Sequence, residues 1–149
     1  MSSRVRRIVT ARDGGGKSVV GSDAEIEFSP GRIDPNIRAA DLWWTPSVPV
    51  DVAAHNAQRE ASPGMPTPGG TLLKVLDIAP GTKPLMHKTD TLDYVFVLAG
   101  EIVMVLDDGA EVRMRAGDIM IQRGTLHGWT NRSAAPCRIA FVLVDAQRP

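Results

Sequence analysis

The sequence predicts an all-β barrel or sandwich, and three observations carry that prediction. Fourteen glycines and eleven prolines divide the 149 residues into short pieces. Between them stand short apolar runs closed by turn signals, with little helical periodicity in any long window. One such signal, Asp107-Asp108-Gly109, sits between two runs of alternating hydrophobicity and marks a tight hairpin.

The elements follow in order. Residues 5–11 read as a strand, 13–16 as a glycine turn and 17–20 as the hairpin partner. Leu42, Trp43 and Trp44 form a short apolar strand before Pro46; alternation puts one tryptophan in the core and the other at a pocket mouth or subunit interface. Residues 53–70 are polar, with Pro63, Pro66 and Pro68, and read as a long loop with a weak helical turn over 53–59. His55 within it reads as exposed. From residue 71 the pattern tightens. Residues 72–78 form a strand ended by Pro80-Gly81, and 92–98 another ended by Gly100. Residues 101–106 and 111–115 flank the hairpin turn. Ile102, Met104 and Leu106 share one face of the first run, as do Val112 and Met114 of the second. Gly117-Asp118 turns the chain into 119–122, and 127–131 and 137–144 complete the series. Residues 1–70 are therefore an extension of strands and loop packed on a barrel core of 71–149, within one structural domain.

Composition narrows the function classes. Lys plus Arg and Asp plus Glu each number 17, so the formal charge is zero and no basic stripe invites nucleic acid. No apolar run approaches the roughly 20 residues that span a bilayer. No apolar signal region opens the chain, so a cytoplasmic location is expected. Cys137, the single cysteine, lies in a strand-like run and reads as a buried, inert thiol.

The chemistry concentrates in PGTKPLMHKTDTLDYVFVLAG and GDIMIQRGTLHGWTN. His87 and Thr89 are two apart, so in an extended segment both point one way; Asp93, Val95 and Val97 continue that face after a turn. His127 and Trp129 share a face on a later strand. In a small barrel, inward residues from different strands surround one cavity or ion. His87, His127 and Asp93 would give a divalent transition metal two imidazoles and a carboxylate, with positions left for water and substrate. Asp90, beside His87, is a second candidate carboxylate. In the alternative arrangement the barrel holds no metal, the histidines bond to Asp90 or Asp93, and a His–Asp pair serves as general base. Gln122 and Arg123 could bind an anionic or carbonyl group; a solvent-facing Arg123 is the other reading. Trp129 walls a pocket or packs in the core. Tyr94, of opposite parity to Asp93, faces outward. Met86, Met104, Met114 and Met120 read as core or pocket lining, and Asn131 as bonding backbone at a strand end.

These segments resemble the two signature motifs of the cupins, small jelly-roll proteins. The first motif is matched by Gly81, His87, Asp93 and Gly100, with Thr89 at a histidine position and Asp93 at a glutamate position. The second is matched by Gly117, Gly124, His127 and Asn131, one residue short and with Gln122 where the motif has proline. The resemblance covers residues 72–144. It implies a cupin double-stranded β-helix, of the RmlC-like jelly-roll type, with extra N-terminal strands. It implies a divalent transition metal (Fe, Mn, Zn or Ni) or an emptied metal site, with Thr89, Asp90, Gln122, Arg123 and Trp129 around the substrate. It also implies a homodimer in which the extra strands pack across subunits. The function expected is a metal-dependent enzyme, a decarboxylase, lyase or oxygenase, acting on a carboxylated, phenolic or polyketide-like small molecule. The alternative is a non-catalytic or metal-free small-molecule-binding cupin.

Overall fold

The computed structural model describes residues 2–31, 33–55 and 61–147. Among the described residues eleven strands run in the order β1 (Arg4–Arg12), β2 (Ser18–Glu27), β3 (Ser29–Pro30), β4 (Ile37–Thr45), β5 (Thr71–Ile78), β6 (Thr91–Ala99), β7 (Glu101–Val105), β8 (Glu111–Arg115), β9 (Ile119–Arg123), β10 (Gly128–Thr130) and β11 (Cys137–Asp145). No α-helix occurs among the described residues. A six-stranded sheet in the order β3-β4-β5-β11-β6-β9 faces a three-stranded sheet β10-β7-β8, and β1 and β2 form a hairpin of their own. All pairings are antiparallel.

Period-two patterning decides what lies between the sheets. Leu143 pairs with Leu72 and Asp93, Phe141 with Lys74 and Val95, and Ile139 with Leu76 and Val97. These rows point inward, and Leu72, Val95, Val97, Ile139, Phe141 and Leu143 are buried in the main core. Ile102, Met104 and Met114 meet them from the small sheet. The opposite face of β4 and β5 carries Ala40, Leu42 and Val75, and Phe28, Val5 and Ile26 cover it. The hairpin is thus fastened to the outside of the large sheet.

Several sequence expectations change. The N-terminal strands are longer than predicted, because cross-strand ion pairs (Arg4 with Glu27, Arg6 with Asp23) hold polar positions that apolar patterning does not reveal. Trp43 and Trp44 both pack against the main core, since a register shift between Asp41 and Trp43 inserts Leu42 as a bulge. Met86 is exposed, while Met104 and Met114 are buried. Part of the expected helical turn over 53–59 lies outside the described residues; residues 52–54 form a turn. The hairpin at Asp107–Gly109 is as expected, with Asp108 and Gly109 both at positive φ.

Candidate functional site

Two short segments with little strand of their own deliver the histidines. Residues 82–86 carry no secondary structure and lead into His87, which pairs with the chain entering β10. His87 and His127 form an isolated antiparallel bridge: each backbone N–H donates to the other residue's carbonyl, at 2.9 and 3.0 Å. That pairing holds the imidazole centroids 4.4 Å apart, with the rings tilted by 50°. His127 is buried, whereas His87 is exposed and lines a cavity.

The tautomers follow from the hydrogen bonds. Nδ1 of His87 lies 2.9 Å from the Leu85 carbonyl, and Nδ1 of His127 lies 2.9 Å from the Thr125 carbonyl. A carbonyl only accepts, so each Nδ1 carries the hydrogen and each Nε2 is left as the basic nitrogen. Burial pushes the His127 pKa below its ordinary 6.5, and the neighbouring His87 adds to the depression, against the Thr125 carbonyl. His127 is therefore neutral at neutral pH.

Asp93 sits on the inward face of β6, 3% exposed, and its Oδ1 has no hydrogen-bond partner. Burial raises its pKa, opposed by the Thr91 hydroxyl and by the charges of His87 and Lys74. Among the described residues no three His, Cys, Asp or Glu side chains come together to hold a metal ion, with either Asp93 or Asp90 as the carboxylate. The reasons are chemical. Position 89 is a threonine whose hydroxyl accepts from Thr91 at 2.9 Å, and Asp93 is one methylene shorter than a glutamate. Two imidazoles remain.

The cavity beside His87 has a volume of about 910 Å³. Ile37, Leu76, Leu85, Met65 and Trp129 supply apolar walls. Trp129 is 5.9 Å from His127 and 5.8 Å from Phe141, edge-on to both, and so links the site to the core. Residues 62–65 of the long loop also line the cavity. The loop is tied down there: the Ser62 hydroxyl donates to Asp41 Oδ2, and Lys74 Nζ donates to the Gly64 carbonyl at 2.9 Å.

The other expected site residues have separate places. Thr89 and Asp90 line a smaller pocket with Lys88, Pro66 and Asp145, which shares Met65 with the main cavity. The buried Gln122 amide is spent on the following turn: Oε1 accepts from the Thr125 hydroxyl at 2.8 Å and its amide N–H at 3.3 Å, and Nε2 donates to the Thr125 carbonyl. Gly124 completes that turn at φ +63, with the Thr89 carbonyl 3.0 Å from where a Cβ would stand. Arg123 is exposed. His55 is not simply exposed: its Nε2 lies 2.6 Å from the Trp44 carbonyl and its ring meets Trp43 edge-on. Asn131 is fully buried and bonds backbone, as expected; its Nδ2 donates to the Ile78 and Ala135 carbonyls.

Lys74 and Asp41 are cavity residues that the motifs do not mark. The signal for Lys74 was parity. In TLLKVLDI it stands in phase with Leu72, Leu76 and Ile78, so it had to point inward.

Comparison with known proteins places this barrel. Residues 74–144 match the cupin domain family. The cupin-domain-containing oxidoreductase fogC of Aspergillus ruber is 35% identical over 153 residues, covering 96% of this chain and 73% of its own. The chain belongs to the cupin family. Another relative of this cupin is the phomopsin biosynthesis cluster protein C' of Diaporthe leptostromiformis, 35% identical over 95% of this chain and 78% of its own. Among solved structures, the polyketide cyclase RemF of Streptomyces resistomycificus superposes with a TM-score of 0.57 at 18% identity, over 83% of this chain and 77% of its own, which shows the fold alone. Cupins often hold a transition metal, but here the donor set stops at two imidazoles and does not fit a three-ligand centre.

Proposed function

We propose that this cupin is an enzyme acting on a small organic molecule bound in the His87 cavity, and that its own residues supply proton transfer. The observation that carries the reading is the histidine pair: two imidazoles in contact, each with Nε2 left basic by a backbone carbonyl on Nδ1. Its neighbours support it. A cavity of about 910 Å³ with mainly apolar walls is the size and chemistry of a small-molecule site. The name oxidoreductase on the Aspergillus ruber relative supports an enzyme over a binder, and the biosynthesis-cluster name of the Diaporthe relative supports a metabolite as substrate.

His87 faces the cavity and takes a proton from a carbon next to a carbonyl, whose electron pair moves into an enolate. The pair then carries one positive charge. His127 stays neutral, in ring contact with His87. Asp93, with an unpartnered oxygen in the barrel, favours the cation electrostatically. Trp129 and the loop at 62–65 form part of the cavity wall beside His87. No step is assigned to a metal, because the side chains present fall short of the ligand set.

The test uses exchange. Wild-type protein in D2O is incubated with polyketide-like ketones, and loss of the proton beside the carbonyl is followed by NMR. The expected result is catalysed exchange that falls at least a hundredfold in His87→Ala and severalfold in His127→Gln. Exchange undiminished in His87→Ala removes the mechanism. Elemental analysis runs in parallel; one equivalent of iron, manganese, nickel or zinc lost with either histidine would replace it with a metal-dependent one.

A further inference from the structure

The interior face of β5 carries one charged residue. Lys74 stands between Leu72 and Leu76, opposite Phe141 on one side and Asp41 on the other. Its ammonium is 3.5 Å from Asp41 Oδ1, with both side chains 18% exposed. A well-packed apolar pair there would stabilise the fold as much or more, because a nearly buried ion pair loses hydration that its attraction barely offsets. The pair is also incompletely bonded. Asp41 Oδ1 has no hydrogen-bond partner, and its contact with Nζ is a charge contact. Of the three Lys74 donors, one goes to the Gly64 carbonyl. Lys74, Asp41, His87 and Trp129 line the same cavity.

We infer that Lys74 is the substrate-anchoring donor of this cavity and that Asp41 sets the charge of what it accepts: a neutral carbonyl oxygen on an apolar body, in preference to a carboxylate. This rests on the reading of the cavity as the substrate site and deepens it. An ammonium alone would draw a carboxylate most strongly. Asp41 already supplies that negative charge and would repel a second one in surroundings where screening is weak. A ketone oxygen needs only the hydrogen bond, and Lys74 has a donor to give. Bound so, the carbonyl is polarised at one end of the cavity while His87 stands at the wall for the adjacent proton. The apolar residues between them hold the hydrocarbon body.

Two fragments of one shape isolate the charge: acetophenone and benzoate. Binding of each is titrated by NMR on the His87 and Trp129 ring signals, in wild type, Lys74→Met and Asp41→Asn, with melting curves to show that each variant is folded. The expected result has three parts. Wild type binds acetophenone at least fivefold more tightly than benzoate. Lys74→Met weakens acetophenone about tenfold or more, the cost of losing a hydrogen bond from a charged donor. Asp41→Asn reverses the preference toward benzoate. Equal or tighter benzoate binding by wild type, or an unchanged preference in Asp41→Asn, overturns the inference and leaves the proton-transfer reading standing. If neither fragment moves the His87 and Trp129 signals, the cavity is not the substrate site and both readings fall. Should a variant unfold, Lys74→Arg gives the second reading: a retained donor keeps the ketone preference, and its loss counts against the anchoring role.

Discussion

His127 is where burial and chemistry meet most directly. Its neutral form is favoured because the barrel end gives an imidazolium little water and places His87 against it. The folded value lies below 6.5, so in the window beneath 6.5 the unfolded chain binds the proton that the folded one refuses. Stability contributed by a neutral His127 is therefore complete above 6.5 and declines as the pH falls toward the folded value. Urea midpoints measured at pH 7.5 and pH 5.5 should drop in wild type, and drop less in His127→Gln. An equal drop in both would mean that other groups govern the acid sensitivity. Asp93 works in the opposite sense. Its raised value means the folded state holds a proton more readily than the unfolded chain, so its burial costs stability above that value and the cost fades on acidification. Asp93 carries this cost within electrostatic reach of His87, whose charge favours its ionised form.

At the scale of elements, the turn after β9 decides where His127 goes. Gln122 makes three hydrogen bonds to Thr125, and Thr125 in turn fixes the His127 tautomer. Gln122→Ala should cost about 1–3 kcal/mol in urea unfolding, the range for stranding buried polar groups. It should also lower exchange activity further than an equally destabilising core substitution such as Val97→Ala; matched losses would reduce Gln122 to a stability residue. The motif made this segment legible but not the bonding of its glutamine, because a polar side chain beside a motif histidine looks the same whether it faces a substrate or its own turn. The second half of the fold was legible, since Pro80-Gly81, Gly100 and Asp107–Gly109 close strands whose apolar residues alternate cleanly. The first half was less so. Charged pairs on β1 and β2 replace apolar ones, and the Leu42 bulge breaks the parity on which the tryptophans were assigned. Lys74 could be read from its phase alone, whereas its link to Asp41 and Gly64 joins residues far apart in the chain.

At the scale of the whole molecule, one apolar face stays uncovered among the described residues. The hairpin of β1 and β2 shields the β4–β5 half of the large sheet, but over β6 and β9 Tyr94, Leu98, Ile119 and Ile121 remain 41 to 66% exposed. β9 is also the edge of that sheet, and the hairpin's own Ile8 and Val20 are open. Contiguous apolar surface with a free strand edge invites a matching surface. We expect a homodimer, with a second copy covering β6 and β9. Light scattering at micromolar concentration should give twice the 16.0 kDa chain mass and return to one chain in Ile119→Lys/Ile121→Lys; a monodisperse wild-type monomer would remove the expectation. No helix of the described residues is long and apolar enough to cross a membrane. The two imidazoles, finally, are oriented by main-chain atoms throughout: a reciprocal backbone bridge sets their spacing and two backbone carbonyls set their protons. Peptide groups are common to every residue, so substitution at positions 85 and 125 leaves those carbonyls in place. Substitutions around the cavity can therefore change the molecules it admits while the spacing and tautomers of this pair stay fixed by the backbone.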